Sequence, residues 1–161
     1  MTRKQNGTAM VEFALLLPLL LLLTFITTEY SRALYQYNIL TKSVRDAARY
    51  LSTQTPWTIP NQNLPANTAV QLIAKNLVVY GNPAGTGAPL ALGLTTAKVD
   101  TPVWQKTGSA PVINTVTIQI GFGLNGSATR YRFVPLFASV FGVSFGSAEF
   151  APITATMRGS L

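Results

Sequence analysis

The sequence predicts an α+β protein: a long N-terminal helix made of a membrane span and an amphipathic extension, a second shorter helix, and a small antiparallel sheet of about three strands. Three observations predict this. From Phe13 to Thr28 there are sixteen consecutive uncharged residues with a Leu-rich centre. Apolar side chains at Ala33, Tyr37, Leu40, Val44, Ala47 and Leu51 then recur in alternating steps of four and three, the spacing that lays one stripe along one helix face. Towards the C-terminus, segments such as Val112 to Phe122 alternate apolar and polar β-branched residues, the period of a half-buried strand.

The span comes first. Ala9 to Ile26 is eighteen residues, about 27 Å as a helix, enough to cross a hydrocarbon layer of about 30 Å with slight thinning. After Leu23 the chain reads Thr-Phe-Ile-Thr-Thr-Glu-Tyr-Ser-Arg and offers no small-residue site for removal of a secretory signal, so the apolar run stays on the mature protein. Arg3 and Lys4 precede it and favour an N-terminus on the cytoplasmic side. Pro18 lies inside the run, where its missing N–H and its ring predict a kink near Ala14.

Glu12 sits at the edge of this span. A carboxylate there costs about 2 to 3 kcal/mol on insertion scales, so it calls for a partner or a job. A cut after Gly7 would create an α-amine at Thr8, one helical turn before Glu12 on the same face. The carboxylate would also complement the helix macrodipole. The alternative is an interfacial Glu that snorkels to the headgroups.

Past the span, no Gly or Pro interrupts Leu19 to Thr55, so the helix should continue outward with its stripe packed on the protein's own sheet or on partner helices. Glu29 with Arg32, and Asp46 with Arg49, are i,i+3 pairs that read as solvated helix face. Pro56, Pro60 and Pro65 mark a loop that ends the helix. Asn67 or Thr68 can then cap a second helix carrying Val70, Leu72, Ile73, Leu77 and Tyr80, with Gly81 placed to close it. The strands are expected at Ala97 to Trp104, Val112 to Phe122 and Phe150 to Arg158. Arg130 to Val143 is a hydrophobic connection, expected as a short helix or loop under the sheet. Phe133, Phe137, Phe141 and Phe145 recur there every four residues; if exposed, they would form a subunit contact.

Composition excludes more than it assigns. The formal charge is +7, but the Lys and Arg residues are scattered, with no basic stripe in the C-terminal part, so nucleic acid is not an expected partner. The chain has no Cys and no His, which removes thiolate nucleophiles, disulfides and the commonest general base and metal ligand. Glu12, Glu29, Asp46, Asp100 and Glu149 are the only carboxylate side chains. No cofactor, no metal site and no enzymatic activity is expected from such a set.

Arg3-Lys4-Gln5-Asn6-Gly7, then Thr8-Ala9-Met10-Val11-Glu12-Phe13-Ala14-Leu15, resembles the leader of type IV-like prepilins, and with Pro18 it resembles the TadE-like family of minor pilins or pseudopilins of the tight-adherence (Tad/Flp) pilus. The stretch Glu29-Tyr30-Ser31-Arg32 with Tyr35, and Arg45-Asp46-Ala47-Ala48-Arg49-Tyr50, resembles two further motifs of that family, with Ala47 in place of its usual Gly. Weaker likeness touches Val78 to Pro83 and Ile153 to Arg158. The resemblance implies a pilin-like arrangement: a prepilin leader at 1–7, a transmembrane helix at 8–28, its amphipathic continuation at 29–55 and a periplasmic or extracellular α+β head at 56–161. It further implies cleavage between Gly7 and Thr8 by a prepilin peptidase, with Glu12 and Phe13 serving processing and assembly. The implied partners are that peptidase, other pilins or pseudopilins, the inner-membrane assembly platform and the lipid bilayer. The implied location is the bacterial inner membrane, single-pass, with incorporation into a surface pilus used in adherence and biofilm formation. The alternative function keeps the anchor and makes the head an adhesin or ligand-binding module.

Overall fold

A computed structural model describes residues 5–54, 68–121, 130–137, 139–140, 143–144 and 146–159. Helix α1 is continuous from Gln5 to Ser52, 48 residues with Pro18 inside it, a length of about 72 Å. Its two halves live in different surroundings. The apolar first half touches almost nothing: Met10, Leu15, Leu19 and Leu23 are all more than 60% exposed, and the most apolar eighteen-residue window is 0% buried. In the second half Leu40, Val44, Ala47, Ala48 and Leu51 are completely buried. The predicted stripe therefore packs on the protein's own elements.

Those elements are helix α2 and a three-stranded sheet. Helix α2 spans Thr68–Tyr80 and ends where expected. Gly81 takes φ 72° and donates its N–H to the Leu77 carbonyl at 3.0 Å, a left-handed cap that glycine adopts without a Cβ penalty. Strands β1 (Val103–Thr107), β2 (Ile113–Ile120) and β7 (Ile153–Arg158) form an antiparallel sheet in the order β1-β2-β7. Its register pairs Trp104 with Val116 and Ile118 with Ala155. The sheet packs on α1, and Val116, Ile118, Ile120, Ile153, Val78 and Val79 fill the space between the layers with Leu40 and Leu51.

The first strand begins later than expected. Thr96–Lys98 is a turn of 3₁₀-helix, and Val99 pairs only through an isolated bridge to Ile120. Pro102 has no N–H for a ladder, so continuous pairing starts at Val103. Between the bridge and the strand, Asp100 is 4% exposed and accepts a hydrogen bond from the Gln119 side-chain amide at 2.6 Å. Gln119 Oε1 in turn accepts from the Thr154 hydroxyl at 3.1 Å. Most buried polar atoms in folded proteins are satisfied in this way.

The segment expected as a short helix or loop under the sheet is a hairpin arm instead. Strand β3 (Arg132–Phe133) pairs antiparallel with β6 (Ala148–Glu149), and β4 (Ser139–Val140) with β5 (Val143–Ser144). Pro135 and the β-branched Val134, Val140 and Val143 disfavour a helix here. The four-residue Phe period consequently does not mark a helix face. Phe133 is buried at 5% exposure while Phe137 is 38% exposed, and Phe141 and Phe145 lie outside the described residues. Of the prolines and Trp57 between 55 and 67, and of Asn67, Arg3 and Lys4, the same holds.

Candidate functional site

The N-terminal candidates lie in the first turns of α1. Gly7, Thr8, Glu12 and Phe13 are all exposed, and Thr8 and Glu12 stand one turn apart on one face. Gly7 has no structural reason to be glycine. It is not among the positive-φ glycines, and a Cβ built on it would meet nothing within 4 Å. Gly7 lies in the first turn of the helix, where a glycine costs less than the roughly 1 kcal/mol of a helix interior.

A second cluster forms where α1 leaves the head. Glu29 is only 7% exposed. Its Oε1 accepts the backbone N–H of Leu136 at 2.9 Å and that of Phe137 at 3.2 Å, and its Oε2 lies 3.5 Å from Arg32 Nε. The Arg32 guanidinium donates to the Val134 carbonyl and rests over the Phe133 ring at 4.7 Å, a cation–π contact. One turn nearer the N-terminus, the rings of Phe25 and Phe137 approach to 4.7 Å. Together these contacts clasp the bend at 134–137 onto α1. Glu29 and Arg32 are not the solvated pair expected, because the arm covers them. The second expected pair does not form: among the described residues, Asp46 and Arg49 make no ion pair, and both are exposed.

The head end of the arm is fixed by aromatic residues. Tyr131 is 2% exposed, and its hydroxyl lies 3.1 Å from both Gln36 Oε1 and the Leu92 carbonyl. Burial raises its pKa, with the Arg32 charge opposing in part. Phe150 packs against Tyr37, Tyr131 and Phe133. At the arm's base Glu149 is held by Arg130 and Arg132, each at 3.0 Å, and the hydrogen bonds from Arg130 and then Arg132 keep its carboxyl below the usual range.

The remaining motif positions divide by direction. Tyr30 and Tyr35 are each 66% exposed, Arg45 is exposed, and Tyr50 is half-buried against the core. Among the described residues, no three His, Cys, Asp or Glu side chains gather as a metal site.

With this geometry in place, the comparison with known families can be read onto it. The family model described as TadE-like protein matches residues 7–49. Over that stretch the chain belongs to the TadE-like family. The match takes in the exposed apolar half of α1, the Glu29–Arg32 clasp and the buried stripe as far as Ala48. It stops before Tyr50 and before the second helix, the sheet and the arm. No curated protein and no solved structure matches the chain. Membership over residues 7–49 is consistent with a role in Tad/Flp pilus biology.

Sequence reasoning missed the clasp, although a signal was present. The stripe Ala33, Tyr37, Leu40, Val44, Ala47 and Leu51, stepped back by four, lands on Glu29. A charged residue on the buried line of an amphipathic helix needs a partner inside, and Leu136 and Phe137 supply it.

Proposed function

We propose that this TadE-like protein is a minor pilin or pseudopilin of a Tad/Flp pilus, cut by a prepilin peptidase between Gly7 and Thr8 and needed for assembly of a pilus used in surface adherence and biofilm formation. The observation that carries the reading is the uncovered apolar half of α1: a helix of spanning length, inside the family match, that its own head leaves bare. Such a surface requires lipid or the helices of other subunits. The unexplained glycine at position 7 supports processing at that bond.

In this reading residues 1–7 are the leader, 8–28 the span, 29–55 its continuation and 56–161 the head. The N-terminus is cytoplasmic and the head periplasmic. Glu12 neutralises the Thr8 α-amine that cleavage exposes, in its own chain or in a neighbouring pilin, and so sets the axial register of packed helices. Phe13 and the outward-facing Tyr30 and Tyr35 lie where neighbouring pilins or the assembly platform would meet the helix. The test is the N-terminal residue and intact mass of the protein taken from membranes with and without the peptidase. A mature chain beginning anywhere but Thr8, or an uncut chain beside a working peptidase, sinks the processing claim.

A further inference from the structure

The arm's contacts with α1 descend in order. Tyr131 and Phe150 lie at Gln36 and Tyr37, Phe133 and Val134 at Arg32, Leu136 and Phe137 at Glu29, and the Phe137 ring at Phe25. From residue 37 to residue 25 is about 18 Å along a helix, and every step leads towards the apolar run, which includes Phe25. At the far end the apolar side chains are uncovered, with Val134 at 46%, Leu136 at 66% and Phe137 at 38% exposure. No charged residue occurs between Arg132 and Glu149.

We propose that this arm is a second membrane contact, with the bend at 134–137 seated in the bilayer interface beside the span, on the side of the head. This rests on the reading that α1 crosses the bilayer. Depth is set by the clasp: Phe25 is near the end of the apolar run, and Glu29 lies only about 6 Å further along the helix. That rise matches the interfacial layer, which adds about 5 to 8 Å to each side of the hydrocarbon. The clasp also removes the usual obstacle to placing a bend there. Unpaired backbone N–H groups are costly away from water, but those of Leu136 and Phe137 are already donated to the Glu29 carboxylate. The exposed Tyr30, one residue beyond Glu29, falls at a similar height, where an amphipathic ring favours the headgroup region. The occupant of the exposed apolar face is therefore lipid.

Because the chain has no Cys, single reporters can be placed freely. Leu136→Cys, Leu92→Cys and Leu20→Cys, each carrying an environment-sensitive fluorophore, are compared in the full chain in vesicles of phosphatidylethanolamine and phosphatidylglycerol. All three positions are more than half exposed, so the substitutions leave the core intact. The expected result is that the Leu136 reporter is shielded severalfold from aqueous iodide relative to Leu92 and is quenched best by lipids brominated near the carbonyl end. The Leu20 reporter should be quenched best by deep bromines. A Leu136 reporter as open to iodide as Leu92, with Leu20 still lipid-quenched, overturns the proposal and leaves the anchor standing. An aqueous Leu20 overturns the anchor and the proposal together. Shielding at Leu136 without lipid quenching, lost when the protein is diluted in lipid, assigns the face to a second copy and also overturns the proposal.

Discussion

Replacing Glu29 by alanine should release the arm from α1 while leaving the two-layer core folded. Oε1 of this nearly buried carboxylate accepts two backbone N–H groups, at 2.9 and 3.2 Å. Each donor left without an acceptor costs about 1 to 3 kcal/mol, and the bend is partly open to solvent, which favours the lower part of that range. Two donors together then shift the docking equilibrium by about 2 to 4 kcal/mol. At 1.4 kcal/mol per factor of ten, amide exchange at Leu136 and Phe137 should accelerate roughly 30- to 700-fold. Glu29→Gln keeps an acceptor oxygen but loses the charge that about doubles such bonds, so its effect should fall between wild type and alanine. The assay is residue-resolved hydrogen exchange on the full chain in nanodiscs, with Val78 and Ile118 as core references. If Leu136 and Phe137 keep their protection in Glu29→Ala, the clasp is not what holds the arm. Equal acceleration at Val78 and Ile118 would mean that the whole head had been destabilised, and the local account would fail.

Other outcomes follow from the same contacts. Ile118→Ala removes a side chain with no exposed area from between sheet and helices, and should lower head stability in urea by about 2 to 5 kcal/mol; a loss under 1 kcal/mol would contradict the assigned core. Gly7→Ala should leave circular dichroism unchanged or slightly more helical while blocking processing, and normal cleavage seen by mass spectrometry would separate Gly7 from the peptidase. Glu12→Ala should leave head melting unchanged because the residue is exposed and far from the sheet, yet stop assembly; pili of normal number would refute its role. Glu149 has a carboxyl pKa lowered by Arg130 and Arg132, so its contribution is present above the ordinary carboxylate value of about 4.3. It is lost as pH falls through the depressed value. Exchange at Arg132 and Phe133, taken relative to the intrinsic rate at each pH, should be insensitive to the pairing between pH 7 and pH 5 and rise on further acidification, and Glu149→Gln should flatten that rise.

The helices were legible in the sequence because their signals are local. The stripe to Leu51, the uninterrupted run beyond Leu19 and the Gly81 cap each depend on residues within a turn or two, and the structure has them where the pattern puts them. The sheet was legible in number and direction but not in its first boundary, since the deciding fact is the missing donor at Pro102 rather than the alternation around it. The arm was not legible. Its aromatic period suits a helix as well as an irregular strand, and its pairings, such as Phe133 with Ala148, join residues far apart in sequence. Glu29 was misjudged for a related reason: i,i+3 spacing with Arg32 is a complete explanation until a loop more than 100 residues away is seen to need the same oxygen.

The unbroken course of α1 has a mechanical consequence. The same helix that carries the apolar run also carries a layer of the head, so the two ends share one continuous helix with Pro18 inside it. From Ala9 to Leu51 the shaft is about 63 Å long, and a tilt of about 10° at its foot swings the far end by roughly 11 Å. A change in the tilt of the apolar end therefore bears on the orientation of the head as well.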